Sequence, residues 1–292
     1  MRTTCLTFLF LCLLLITGLK ANTAEAPKRI ISLSPNITQI IYALGAWDNV
    51  VGVTIYSDYP PEAKNMAKVG GWVNPNMEAV LALKPDLVVL MKDQDTIFGR
   101  KLDTLGLKKF VIDSNESVSD ILGSISALGE VLGREREAGI LVKELRTSLD
   151  RITEATKDAE KKSVLIVVGR NPGTLEDIYV IGRDNYMNEL LNMAGGENVI
   201  ENKRLSIKLT KEAILTLDPD VIIEINHDQS QRESQILETW AELSLAKAVR
   251  DNQVYILPST VLLHPSQRIV EGASVLTQIL HPELEDTHGK NN

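Results

Sequence analysis

The chain contains the same sentence twice. Met77 to Leu90 reads MEAVLALKPDLVVL, and Lys211 to Glu224 reads KEAILTLDPDVIIE. The shared pattern is Glu-Ala-apolar-Leu-x-Leu-x-Pro-Asp followed by a β-branched run. Each copy predicts a short amphipathic helix, a turn at Pro85-Asp86 or Pro219-Asp220, and a buried strand. The match extends outwards. Strand-like Ile30 to Ser34 corresponds to Val164 to Val168, and Leu44 to Val50 corresponds to Ala194 to Val199, where a helix ends on glycine and a new strand begins. A repeat of this length predicts two lobes of related α/β fold.

Between the halves lies Arg134 to Lys161. Its apolar residues Ile140, Leu141, Leu145, Leu149, Ile152 and Ala155 recur at helical spacing, with no proline among them. Such a helix would be about 40 Å long at 1.5 Å per residue. The expected organisation is therefore an N-terminal lobe over 27–133, a rigid helical strut over 134–161, a C-terminal lobe over 162–282 and a polar tail over 283–292, with a ligand cleft between the lobes.

Residues 1–26 read as a cleaved export signal: Arg2, an apolar run from Cys5 to Leu19, then small residues at Ala21, Ala24 and Ala26. The run is short for a membrane span. Bulky Leu11 before Cys12 argues against lipidation. Both cysteines lie in this segment, so the mature chain has no disulfide, thiolate nucleophile or cysteine metal site. The formal net charge of −8 argues against nucleic acid or an anionic membrane surface as the main partner. A protein soluble outside the cytoplasm is expected.

Aromatic residues form only 4% of the chain, yet Tyr56, Tyr59 and Trp72 stand close together in Pro- and Gly-rich sequence. Tyr59, flanked by prolines, reads as a packed turn. Tyr56 and Trp72 read as ligand-facing, because flat amphipathic side chains bind large ligands at low entropic cost. The polar loop Ser34-Pro35-Asn36 follows a strand, where open α/β sheets bind ligands, although a helix cap explains it equally well. Arg170, in the corresponding loop of the second half, either faces the cleft or sits in solvent. Arg268 should lie in the first turn of the final helix, Ile269 to Leu280, where its sign opposes the helix dipole. Such conflicts concentrate at functional sites, which favours a ligand contact. Glu78 and Glu212 occupy equivalent places near helix starts. Either alone is explained by the helix dipole. The pair also fits two acidic knobs meeting basic sockets on a two-fold partner.

These stretches resemble the substrate-binding proteins of ABC importers that hold their lobes on one backbone helix. That group includes binders of cobalamin, haem and ferric siderophores, and more distantly of zinc or manganese. The resemblance covers the mature chain. It is carried by Tyr56 to Pro61, Trp72, and Glu78 with Leu83-Lys84-Pro85-Asp86, and is strongest towards the cobalamin binders. It implies that Tyr56, Trp72 and Arg268 touch a corrinoid, and that Glu78 and Glu212 dock a monomeric binding protein on arginines of a permease dimer. Met91 and Ser206 or its neighbours stand where cobalamin binders carry further aromatics, so the lining is thinner. The alternative ligand is a ferric siderophore or haem, with Tyr56 or His264 as an iron ligand. No metal site of the protein's own is expected, since the four histidines lack ligand-like spacing. An exported enzyme is the remaining alternative. The sequence carries no Gly-x-Ser-x-Gly, His-Glu-x-x-His or phosphate-loop motif to support it.

Overall fold

The computed structural model describes residues 25–287 except 114–115, 205 and 228–230. The export segment therefore lies outside the described residues, apart from its last two positions. So does the end of the polar tail.

The first lobe is a parallel sheet in the order β2-β1-β3-β4, built from β1 (Ile30–Ser32), β2 (Val50–Val53), β3 (Leu87–Met91) and β4 (Lys109–Ile112). The second is β10-β9-β5-β6-β8, with β7 also paired to β5. Its strands are β5 (Lys162–Gly169), β6 (Ile178–Ile181), β7 (Gly196–Asn198), β8 (Ser206–Leu209), β9 (Val221–Asn226) and β10 (Val254–Pro258). The sequence repeat maps onto this topology. The parallel run β7-β5-β9-β10 has the order of β2-β1-β3-β4. The second lobe adds β6 and β8, with β6 antiparallel to both its neighbours.

The repeated Pro-Asp turn has the same local chemistry in both copies. Lys84 and Asp218, each just before the proline, both adopt left-handed backbone, with φ of 46° and 40°. Asp86 then accepts hydrogen bonds from the backbone N–H groups of Lys28 and Arg29, at 2.8 and 3.0 Å. Asp220 accepts from the N–H and the hydroxyl of Ser163, both at 2.8 Å. Each aspartate thus fixes the entry of its lobe's first strand beside the strand that follows the turn.

The longer helices include α1 (Pro35–Ala43), α3 (Val118–Leu132), α4 (Glu135–Thr156), α5 (Tyr186–Met193), α7 (Glu233–Trp240) and α8 (Ile269–Leu280), and the repeated turns follow the short α2 (Met77–Ala82) and α6 (Lys211–Leu217). The strut is α4. Its 22 residues span about 33 Å. It ends before the expected 161, one residue past Ala155, the last of the periodic apolar residues; Lys157 to Lys162 include only Ala159 as an apolar group. The buried Thr156 hydroxyl donates instead to the Met193 carbonyl at 2.7 Å.

The joint between α3 and α4 depends on two glycines. Gly133 closes α3 in the left-handed conformation, with φ of 65°. A Cβ on Gly129 would stand 2.4 Å from that of Ala138, so the two helices cross more closely than a larger residue allows. On its other side α4 packs against α5 and α8. One apolar core runs from Ile30 and Ile40 of the first lobe through Leu145 and Leu149 of α4 to Val164 and Leu276 of the second. The lobes therefore share a core at the strut. This favours small hinge movements over wide swings. Among the described residues, no helix is long and apolar enough to cross a membrane.

Candidate ligand-binding cleft

In open α/β sheets, ligands bind beyond the carboxyl ends of the parallel strands. Here those ends carry the stretches that the sequence singles out: Ser34-Pro35-Asn36 after β1, where Ser34 is the N-cap of α1 and Pro35 and Asn36 its first turn rather than a loop, 54–60 after β2, and Arg170 after β5. The loop between β10 and α8 crosses to the first lobe. His264 Nδ1 lies 3.1 Å from Gln39 Nε2 on α1, and Ser266 Oγ donates to Gln39 Oε1 at 2.5 Å. Asn36 Nδ2 reaches the Pro265 carbonyl at 3.5 Å, and the Arg268 guanidinium lies 4.7 Å from the centre of the Tyr59 ring. These contacts form the floor of the space between the lobes.

The first-lobe wall is apolar. The loops 54–57 and 70–72 are joined by a bond from Ile55 N–H to the Gly70 carbonyl, 3.0 Å. Tyr56 Cε2 lies 3.5 Å from where a Cβ on Gly71 would stand. Ile55, Tyr56 and Val73 are 55–57% exposed, and Trp72 is half-buried between them in sequence. Exposed large apolar groups in one place mark a binding surface more often than isolated ones do. Tyr59 is a packed turn, edge-on to Tyr42 with ring centres 5.7 Å apart.

Beneath the wall lies a polar network that sequence reading did not find. Buried Gln94 donates to the carbonyls of Leu33 (2.7 Å) and Trp72 (2.9 Å) and accepts from the Met91 N–H (2.9 Å). One amide thus ties the ends of β1 and β3 to the Trp72 loop. Thr38 bonds Ser32 and Ser57, and Thr54 bonds Ser57 as well. Gln39, which links the lobes, also escaped notice. A polar residue in the middle of a predicted helix gives no sequence signal of a distant partner.

The remaining candidates are placed as follows. Asn36 is buried; its Oδ1 accepts from the Ser34 hydroxyl, and its Nδ2 points to Met91 and Pro265. Arg170 stands at the rim, but its guanidinium is turned into the second lobe, with the side chain 3% exposed. Its Nε donates to Glu224 Oε2 at 3.0 Å and its Nη1 to the Thr174 carbonyl at 2.8 Å. The same Glu224 oxygen accepts from Trp240 Nε1 at 2.6 Å. A cavity of about 330 Å³ adjoins this group, lined by Arg170, Gln235, Ile236 and Thr239 among others. Arg268 occupies the N-cap position of α8, one residue before the expected first turn, and its N–H reaches Ser266 Oγ at 3.2 Å. The expected conflict with the helix dipole is relieved locally, because Glu271 accepts from Arg268 Nε and Nη2 at 2.8 and 2.6 Å.

Glu78 and Glu212 are both exposed, each at the second position of its helix. Asn76 caps α2 by accepting from the Ala79 N–H (3.0 Å), and Thr210 caps α6 by accepting from the Ala213 N–H (3.3 Å). Hydrogen bonds from its own backbone and from Thr210 hold the Glu212 carboxyl below its ordinary range. Among the described residues, no cluster of three or more His, Cys, Asp or Glu side chains could hold a metal ion.

His264 gives the floor a pH dependence. Ser266 donates to the Gln39 oxygen, so the Gln39 amide nitrogen faces His264 Nδ1, which must be the unprotonated nitrogen. Burial lowers the His264 pKa from 6.5; nearby Asp58 opposes this, and Arg268 adds to it. Below about pH 6.5 the unfolded chain therefore binds more protons than the folded one, and stability falls as pH falls. Melting temperatures between pH 7.5 and 5 should drop more for the wild type than for His264→Gln, which has no group titrating there. Parallel curves would show that His264 does not titrate in this contact.

Two lobes of related fold on a shared helical strut, with an apolar wall at the strand ends, have the organisation of a solute-binding protein. The chain belongs to the periplasmic binding protein family, whose sequence pattern matches residues 30–261. It is 35% identical over 267 residues to an uncharacterized ABC transporter substrate-binding lipoprotein of Bacillus subtilis, covering 89% of this chain and 82% of that one. It is 26% identical over 271 residues to a vitamin B12-binding protein of Yersinia pestis, covering 91% and 93%. A crystal structure described as a possible iron-binding periplasmic solute-binding protein of Staphylococcus epidermidis superposes with a TM-score of 0.75 at 27% identity, covering 87% of this chain and 99% of that one. These relatives are solute-binding transport proteins, and the chain has the two-lobed fold of that group.

Proposed function

We propose that this protein captures one large corrinoid-like ligand between its lobes, unchanged chemically, and presents it to an ABC permease dimer through Glu78 and Glu212. The observation that carries this reading is the wall of exposed Ile55, Tyr56 and Val73 with half-buried Trp72 at the strand ends. A flat, largely apolar ligand covers such a wall at little entropic cost. The vitamin B12-binding relative spans nearly the whole chain, which supports a corrinoid. A second reading, a ferric siderophore or haem, draws on the Staphylococcus epidermidis protein described as possibly iron-binding.

Delivery requires export, and the apolar segment before Ala26 supplies a signal for it. The test is calorimetric titration of the mature protein with cyanocobalamin, haemin and a ferric siderophore. The proposal expects saturable one-to-one binding of the corrinoid, with the ligand recovered unaltered. Tight binding of an iron ligand alone would move the protein to iron acquisition. Conversion of the ligand would make it an enzyme.

A further inference from the structure

Arg170 and Arg268, the two arginines described above, are already bonded to carboxylates of their own lobe. Arg268 gives Nε and Nη2 to Glu271, one turn along α8, while its guanidinium lies over Tyr59. Arg170 is held in the second lobe by Glu224, which Trp240 fixes from another side. Arg170 could turn towards an anion only by leaving Glu224 buried without its counter-charge. Lys68 donates to the Ser57 and Ala63 carbonyls, both at 2.9 Å. Lys92, just after β3, pairs with Asp113, just after β4, at 3.2 Å. A further carboxylate, Asp58, lies within electrostatic range of Arg268 and also of Lys68. Asp58 acts electrostatically on both Arg268 and His264, and its Oδ1 is buried without a hydrogen-bond partner among the described residues.

A carboxylate or catecholate ligand needs cationic or N–H donors that are free to meet it. Here an anion approaching Arg268 would be placed beside Glu271, which α8 keeps within reach, and near Asp58. Like charges repel more strongly in a partly enclosed cleft than in water. The apolar wall offers no compensating charge. Asp58 Oδ1 is instead an acceptor lacking a donor.

We infer that the cleft takes a ligand without net negative charge, one presenting uncharged donors such as carboxamides, and that Glu271 sets this preference by occupying Arg268. The inference rests on the cleft reading above and adds the charge class of the ligand.

Calorimetry with four probes tests it: cyanocobalamin and ferrichrome, which carry no net charge, and haemin and a ferric tris-catecholate, which are anions. The wild type should bind at least one uncharged probe tenfold or more tighter than either anion. Glu271→Gln should shift the anion-to-neutral affinity ratio at least tenfold towards the anions. The double substitution Arg268→Gln with Glu271→Gln should abolish that shift. An unchanged ratio in Glu271→Gln overturns the inference. So does an anion that binds the wild type tighter than both uncharged probes, and if that binding weakens in Tyr56→Ala the cleft reading survives. A probe whose affinity ignores Tyr56→Ala counts against the cleft reading itself.

Discussion

Glu224→Ala should destabilise the protein by about 3–5 kcal/mol, because it leaves a buried guanidinium without its counter-charge. Arg170 and Glu224 side chains are 3% and 7% exposed, so the guanidinium that loses its carboxylate is left almost wholly out of bulk water. The indole N–H of Trp240, a fully buried side chain, loses its acceptor at the same time. Arg170 Nη2 already lacks a partner among the described residues, so the group has little hydrogen-bonding capacity to redistribute. At roughly 2–4 °C per kcal/mol for a chain of this size, the melting temperature should fall by about 6–20 °C. Arg170→Met combined with Glu224→Leu should recover most of the loss, since removing both charges also removes the desolvation penalty. Thermal and urea unfolding of the wild type and the two variants checks this. A Glu224→Ala protein within about 1 kcal/mol of the wild type would mean that Arg170 finds solvent or another partner.

The second large effect is expected in transport. Replacing both Glu78 and Glu212 with Ala should reduce uptake through the permease at least about 100-fold while leaving ligand affinity within about twofold. The two carboxylates are exposed, and neither forms an ion pair among the described residues. Each is positioned by the same device, a side-chain cap two residues before it on a short helix that precedes a Pro-Asp turn. That placement lets the two lobes present the same charge in the same setting to a two-fold partner. Truncating one member of an interfacial charge pair costs about 2–5 kcal/mol, so losing both should abolish productive docking. Uptake into proteoliposomes carrying the permease, with affinity measured separately by calorimetry, separates the two functions. Loss of ligand affinity in either single variant would show that docking and capture are not separate.

Much of this was legible in the sequence because it was written twice. Glu78 with Glu212, Lys84-Pro85-Asp86 with Asp218-Pro219-Asp220, and the glycine-closed helices after β1 and β5 are local signals, and each copy supports the other. The strut is legible from periodicity, including its end, which lies one residue past Ala155, the last periodic apolar residue; the polar residues after it are not part of the helix. Cross-lobe polar contacts were not legible. Gln39 meets His264 and Ser266 more than two hundred positions away, and Gln94 joins the ends of β1 and β3 to the Trp72 loop. Nothing local marks either glutamine. Arg170 shows the same limit. Its place at a strand end was readable, but the carboxylate that turns it inwards lies on β9, fifty-four residues later. Arg268 was singled out for a clash with the helix dipole that Glu271, three residues on, resolves.

The measurement that bears most directly on the account is cyanocobalamin binding by the wild type and by Tyr56→Ala combined with Trp72→Ala, both checked for unchanged melting. Stacking of an aromatic side chain on a ligand is worth about 0.5–1.5 kcal/mol beyond its area, so losing two should weaken binding roughly tenfold to a hundredfold. One-to-one binding by the wild type with that loss in the variant is the predicted result. Equal affinity in the two proteins would contradict the account, because the ligand would then lie elsewhere than against this wall.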